Sequence, residues 1–460
     1  MTEHSTNLTS GAGLTCDAER PNDAGLASNP GLTNAPANTA APALPADGHL
    51  LIVGAGLAGY HVARGVRGHG HTGPITIFGE ENRPAYDRPA LSKAYLTGAV
   101  TEEDLHLDDP EDPLDVTWVS GVEVVGLSGS ARTTSDPQFP EEQYREPLGI
   151  YTADGQFHAG DAIVITTGAS ALTLPAAPDA TIPHVEPYVL RDMEHALALR
   201  DATLSDADIV VVGGGFLALE AAATCIQRGA ASVTVAASEQ FPGARRLGLP
   251  VGQAIGSALQ ERGIRMAPPA RAQAVRSGVD GHQVLLADGT VLTGDIVICA
   301  IGAKPRTEWL VNSQLTFTAD THAVLCDDSG ATVIPGVYAA GDCAQWASHS
   351  SGLRPVGHWQ EAVEEAAVVA AALTGADEVA LQEPYFWSDQ FDLRIQGAGR
   401  IHLANEVEVL AGTPEEHNLL VRYLRDGEEV GILGINRLRD VTRWRKQRRI
   451  RSGRAHMVMA

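Results

Sequence analysis

Two short glycine-rich runs carry most of the chemistry that this sequence declares. The first, Gly54-Ala55-Gly56-Leu57-Ala58-Gly59, follows the apolar run Leu50-Leu51-Ile52-Val53 and opens a helical segment. At that spacing Gly54 permits a tight turn, Gly56 lets backbone approach a pyrophosphate, and Gly59 lets the helix close on the strand. The free N–H groups at the helix start attract the anion. After the next apolar run, Ile75-Thr76-Ile77-Phe78, an acid is expected to take the ribose hydroxyls; Glu80 stands there, with Glu81 as the alternative. The second run, Gly213-Gly214-Gly215-Phe216-Leu217-Ala218, follows Asp208-Ile209-Val210-Val211-Val212 and carries Ala218 at the third glycine's position, a substitution that close packing allows. Beyond its next strand, Ser232-Val233-Thr234-Val235, no acid occupies the usual ribose position: Ala237 stands there, Glu239 comes two positions later, and Arg245 and Arg246 lie further on. Both units are expected to hold a dinucleotide, the second being open between NADH and NADPH with NADH favoured. Two such sites in one chain pair naturally as a bound flavin and a diffusing nicotinamide nucleotide.

Such turns need parallel strands with returning helices to position them. The pattern around them is itself doubled, since Asp154-Gly155 and Asp288-Gly289 each precede an apolar run closing on glycine, at Gly168 and Gly302. A chain of 460 residues predicts about two to four domains. The expected fold class is α/β: two doubly wound nucleotide-binding domains, for FAD and NAD(P)H, with a C-terminal α+β domain. The boundaries read as a disordered leader over 1–48, a first FAD-binding segment over 49–175, an NAD(P)H-binding domain over 176–303, a second FAD-binding segment over 304–383, and the C-terminal domain with its basic tail over 384–460. The leader is rich in Ala, Pro, Asn and Thr and lacks hydrophobic periodicity. A polar stretch near 128–148 reads as a hairpin loop between strands at Val122–Val125 and Ile150–Thr152.

Composition narrows the function. A net charge of −24 leaves no dominant basic face for nucleic acid. The five cysteines, Cys16, Cys225, Cys299, Cys326 and Cys343, form neither a C-x-x-C pair nor a metal-ligand spacing, which fits a reduced, cytoplasmic compartment. No secretory signal or membrane span is readable, because the most apolar window, 209–226, is broken by three glycines and contains Glu220.

Several further motifs appear in a fixed order: Tyr86-Asp87-Arg88-Pro89-Ala90-Leu91-Ser92-Lys93, Thr167-Gly168, Leu219-Glu220, Ala339-Ala340-Gly341-Asp342, His358-Trp359 and Phe386-Trp387-Ser388-Asp389-Gln390. Over about residues 49–450 the chain resembles the oxygenase-coupled ferredoxin reductases, FAD flavoproteins akin to putidaredoxin reductase, rubredoxin reductase and apoptosis-inducing factor. The resemblance implies that Arg88, Lys93, Thr167, Gly168 and Asp342 hold FAD beside Gly54, Gly56, Gly59 and Glu80, with Lys93 next to the isoalloxazine and paired to Glu220. A cation there stabilises the anionic reduced ring. The plainer arrangement is a solvated Lys93 and a Glu220 that caps a helical turn. Trp359 and Trp387 are implied to lie near the flavin, Gly213, Gly215 and Glu220 to frame the nicotinamide side, and His358 to be structural. The chain departs from the family pattern in lacking an arginine near Leu172 that contacts FAD, in having Gly357 where glutamate is common, and in having Thr166 for the frequent alanine.

Disulfide reductases of this fold need two cysteines after the first glycine unit, and their single-cysteine relatives need one; none stands between Cys16 and Cys225. Electrons are therefore expected to leave directly from the flavin. The expected function is transfer of electrons from NAD(P)H through FAD to a small iron-sulfur ferredoxin that supplies an oxygenase. Rubredoxin, oxygen or a quinone as acceptor, or an NADH-responsive redox-sensing flavoprotein, are the alternatives. The implied state is a monomer or weak dimer without a membrane or nucleic-acid partner. Residues 437–454 hold nine bases and one acid, a tail that could steer an acidic ferredoxin.

Overall fold

A computed structural model describes residues 44–129, 147–178, 186–278, 281–348, 352–353, 357, 359–377 and 379–459. Nearly all of the leader, the centre of the 128–148 loop and His358 lie outside the described residues.

The first glycine unit belongs to a five-stranded parallel sheet ordered Val337–Ala339, Ala162–Ile165, Leu50–Val53, Ile75–Gly79, Thr117–Ser120. Leu50–Val53 and Ala162–Ile165 are buried along their whole length. That explains their unbroken apolar runs, since a parallel sheet covered on both faces has no solvent side to alternate with. Each aliphatic side chain so buried contributes roughly 1.5–3 kcal/mol. Helices Leu57–Gly68 and Trp359–Thr374 pack together on this sheet. Their axes come close at Gly65, where an added Cβ would stand 2.8 Å from the Ala370 methyl.

The second unit repeats the design with four parallel strands, ordered Ile264–Met266, Ser232–Ala236, Asp208–Val212, Ile296–Cys299. Helix Phe216–Gln227 leaves its glycine turn, so the apolar window at 209–226 is a strand, a turn and a helix. The two units are linked by an antiparallel pair, Ala169–Ala171 with Ala303–Pro305. The long polar loop is flanked by an antiparallel pair, Val124–Ser128 with Gly149–Thr152, as its hairpin reading requires.

The C-terminal part is a five-stranded antiparallel sheet ordered Tyr385–Gln390, Leu393–Gly399, Glu428–Ile435, Asn418–Arg425, Glu406–Thr413. One face shares a core with the second unit, where Leu393, Ile395 and Leu433 join Ile255 and Leu259. Its other face receives Val441 and Trp444 from the helix Leu438–Met459, which contains the basic tail. No helix among the described residues is long and apolar enough to cross a membrane.

Candidate functional site

The sheet architecture brings four segments that are separate in sequence around one cavity of about 710 Å³. Its walls come from the first glycine turn, the short helical turn Pro89–Ser92, the start of helix Phe216–Gln227 and strand Tyr385–Gln390.

The glycine turn explains its own composition. Gly54 has φ +117°, and an added Cβ would stand 2.2 Å from the Thr166 carbonyl oxygen, so a side chain is excluded both by conformation and by space. Gly59 lets the helix touch the turn: an added Cβ would meet the Gly54 oxygen at 2.2 Å. Gly56 differs, since it is extended at φ −95° and an added Cβ would meet nothing within 4 Å. Its missing side chain serves only what occupies the cavity. Thr166, a departure from the family pattern, donates to the carbonyls of Val53 (3.1 Å) and Gly54 (2.9 Å), which ties the turn to its neighbouring strand.

Among the acids after the second strand, Glu81 is already engaged, accepting from the Tyr86 hydroxyl at 2.6 Å and from Arg88 at 2.6 Å. Burial pushes the Tyr86 phenol up, so at neutral pH it remains a donor. Glu80 stays largely exposed on the cavity wall, as a ribose ligand should, with Arg306 Nη1 2.5 Å away. Thr167 and Gly168 clasp this arginine's backbone: the Thr167 hydroxyl donates to the Arg306 carbonyl (2.6 Å), and the Arg306 N–H donates to Gly168 (2.9 Å). Leu172 leaves out the family's arginine, yet the facing strand brings the Arg306 guanidinium to the same cavity, held by Ser170 Oγ at 2.8 Å. Arg191 joins Arg306 and Arg88 on the cavity wall, ion-paired with Asp342. No helix begins after Asp342, so its carboxylate is a cavity group and not a helix cap. Sequence reasoning missed Arg191 and Arg306; the only signal was the absent base near Leu172.

At the opposite wall Lys93 Nζ lies 3.0 Å from Glu220 Oε1. The same carboxylate accepts from Ser388 Oγ at 2.6 Å on Oε1 and from Ser92 Oγ at 2.6 Å on Oε2. Glu220 is 6% exposed and caps no turn, which removes the plainer arrangement. Trp359 and Trp387 meet edge to face with centroids 6.0 Å apart, and both line the cavity. The Trp359 indole N–H donates to Asp87 at 2.6 Å. Burial raises the Asp87 carboxyl, opposed by that indole and by the charge on Lys93.

Gly213 and Gly215 do not line this cavity; the helix that follows them delivers Phe216, Leu217 and Glu220 to it. Their turn nevertheless copies the first. Gly213 has φ +134° with an added Cβ 2.3 Å from the Ala300 oxygen, whereas Gly215 is extended with nothing within 4 Å.

This geometry fits a flavin dinucleotide in the cavity and a nicotinamide dinucleotide at the second turn. An open cradle at Gly56 and Gly168 suits close-packed phosphates, the guanidiniums of Arg88, Arg191 and Arg306 offset their charge, Glu80 suits a ribose, and paired indoles suit a ring system.

Residues 48–366 match the pyridine nucleotide-disulphide oxidoreductase family, and residues 385–455 match the reductase C-terminal domain. The chain belongs to the pyridine nucleotide-disulphide oxidoreductases, whose cofactors are FAD and NAD(H). Among its relatives are the ferredoxin–NAD(+) reductase subunit of the benzene 1,2-dioxygenase system of Pseudomonas putida, 31% identical over 85% of this chain and 90% of that one, and the ferredoxin reductase component of chlorobenzene dioxygenase of Cupriavidus sp. (strain PS12), 32% identical with the same coverage. Among solved structures, the covalent putidaredoxin reductase–putidaredoxin complex superposes with TM-score 0.78 at 27% identity, covering 87% of this chain and 92% of that one. The described cysteines are not placed for disulfide chemistry: Cys225, Cys299, Cys326 and Cys343 are free and buried, and burial pushes the thiols of Cys225 and Cys343 up to about 12 and about 11.

Proposed function

We propose that this chain is the NADH-oxidising reductase of an oxygenase system, passing electrons through FAD to a small iron-sulfur ferredoxin. In this reading 49–175 and 304–383 assemble the FAD domain, and 176–303 the nucleotide domain. The observation that carries it is the single cavity in which the first glycine turn, Lys93–Glu220 and the Trp359–Trp387 pair converge. Relatives named as ferredoxin reductase components of dioxygenases support the acceptor class.

FAD, when bound, takes a hydride and releases its two electrons singly. Gly54, Gly56, Gly59, Arg88, Thr167, Gly168 and Asp342 would seat it, with Arg191 and Arg306 beside its phosphates and Glu80 at its ribose. Glu220, itself buried, fixes the half-buried Lys93 ammonium at the cavity wall through a 3.0 Å contact. The two indoles meet at the cavity edge, where they would pack against the ring system.

Anaerobic stopped-flow tests the proposal. NADH is expected to bleach the flavin rapidly and a [2Fe–2S] ferredoxin to restore its absorbance; flavin that stays oxidised with both NADH and NADPH would overturn the reading.

The basic helix refines the docking expectation. Arg445 stacks on Tyr385 at 3.8 Å and donates to Gln360 at 2.8 Å, while Arg448 donates to the Glu429 carbonyl. Steering therefore falls to its exposed bases, among them Arg439 and Lys446. Charge reversal of both is expected to slow ferredoxin association roughly tenfold at low salt, with the difference vanishing at high salt. An unchanged salt dependence would exclude this face as the docking surface.

A further inference from the structure

The second glycine turn lacks the usual acid at the end of its following strand, and the structure shows what fills both places. Ala237 is buried in the core, its methyl 3.2 Å from where a Gly214 Cβ would be. Two residues on, Glu239 folds back, and its Oε1 lies 3.8 Å from that same Gly214 position. The carboxylate is not loose. Oε1 accepts from the Gly243 N–H at 2.9 Å and Oε2 from the Arg245 N–H at 2.8 Å, so the turn over 239–245 holds it in one orientation.

We infer that Glu239 is the residue that reads the adenosine ribose of the incoming nucleotide, selecting a free 2′,3′-diol over a 2′-phosphate. The inference rests on the proposed function, in which a nicotinamide nucleotide occupies the second glycine turn. An ionised carboxylate has about four lone-pair sites. The two backbone bonds use one on each oxygen, which leaves one on each oxygen for the two adjacent hydroxyls of a ribose. A 2′-phosphate would instead place about −1.5 to −2 charges beside a fixed negative group. Arg245 and Arg246 do not reverse this preference: both side chains are exposed, and Arg245 meets Glu239 through its backbone N–H. The acid has moved two positions along the chain and returns to the turn through the loop.

The discriminating quantity is the ratio between nucleotides. Dissociation constants for NADH and NADPH would be taken from the concentration dependence of flavin bleaching, in wild type, Glu239→Ala and Glu239→Gln. Two charge-assisted hydrogen bonds predict that Glu239→Ala weakens NADH about ten- to a hundredfold while NADPH is unchanged or tightened. Glu239→Gln keeps one of the two loop acceptors and loses the charge, so it should relieve the exclusion of NADPH at a small cost in stability from the NH₂ group that faces the other backbone N–H, a cost the melting temperature reads. If both variants weaken the two nucleotides equally, Glu239 merely braces its loop and the inference is overturned. A wild type that prefers NADPH also overturns it. A wild type whose flavin neither nucleotide bleaches removes the proposed function itself, a result distinct from either.

Discussion

Replacing Glu220 by alanine is expected to lower the melting temperature and slow flavin reduction in the same protein. The carboxylate joins three parts of the chain: Ser92 and Lys93 from the first unit, helix Phe216–Gln227 from the second, and Ser388 from the C-terminal sheet. Its loss leaves an ammonium and two hydroxyls facing a small void. Breaking a buried ion pair costs about 3–5 kcal/mol, and the lower end applies here because Lys93 retains 22% side-chain exposure. For a domain of this size about 3 kcal/mol is a fall of roughly 6–12 °C. Flavin reduction should slow by up to about a hundredfold, since Lys93 is no longer held at the cavity wall and small misplacements are costly.

Two companion variants separate the stability effect from the positional one. Glu220→Gln fills the space and still accepts, but its NH₂ group must face a donor; a serine hydroxyl can rotate to accept, whereas Lys93 cannot. Its cost should be about 1–2 kcal/mol. Combining Glu220→Gln with Lys93→Met removes the stranded charge, and a neutral replacement for a buried pair is often well tolerated. The double variant should therefore regain stability without regaining rate. Wild-type melting and bleaching in Glu220→Ala would show that the junction does neither job.

What was legible in the sequence was what is local. The strand-turn-helix units could be read because Gly54 and Gly59 meet across a few residues, with Gly56 left open between them for a ligand, and because a strand buried on both faces has to be apolar throughout. The motif carrying Lys93 and the one carrying Glu220 could be paired only through a family resemblance, since no periodicity links residues 127 positions apart. Ser388 was in view as part of a motif, yet its bond to Glu220 depends on how the C-terminal sheet sits against the second unit. Arg191 and Arg306 were invisible for the same reason: each looks like an ordinary surface base until the pairing of Ala169 with Pro305 turns one of them into the cavity. Glu239 shows the limit most clearly. Its displacement from position 237 could be counted, but its return to Gly214 lies in the turn closed by Gly243, which a linear count does not contain.

The glycines offer the sharpest contrast between a residue kept for the fold and one kept for a ligand. Gly54→Ala should give protein that melts early and carries no flavin. The residue would sit at φ +117°, a strain of about 1–3 kcal/mol, and overlap the Thr166 carbonyl, an overpacking cost of about 1–3 kcal/mol more. Gly56→Val should fold normally, because φ −95° suits any residue and the added atoms meet open space, but those atoms occupy the cradle, so flavin should be lost by dilution or gel filtration. The second unit predicts the mirror result. Gly215→Val, likewise extended and open, should keep its flavin and its melting temperature while binding NADH more than tenfold more weakly, because the backbone can no longer approach the pyrophosphate. Flavin stoichiometry, thermal melting and NADH titration on the three proteins distinguish these outcomes. Flavin retained in Gly56→Val, or lost in Gly215→Val, would mean that the two turns have been assigned to the wrong cofactors. Early melting of Gly56→Val in the flavin-free state would mean that this glycine serves the fold after all.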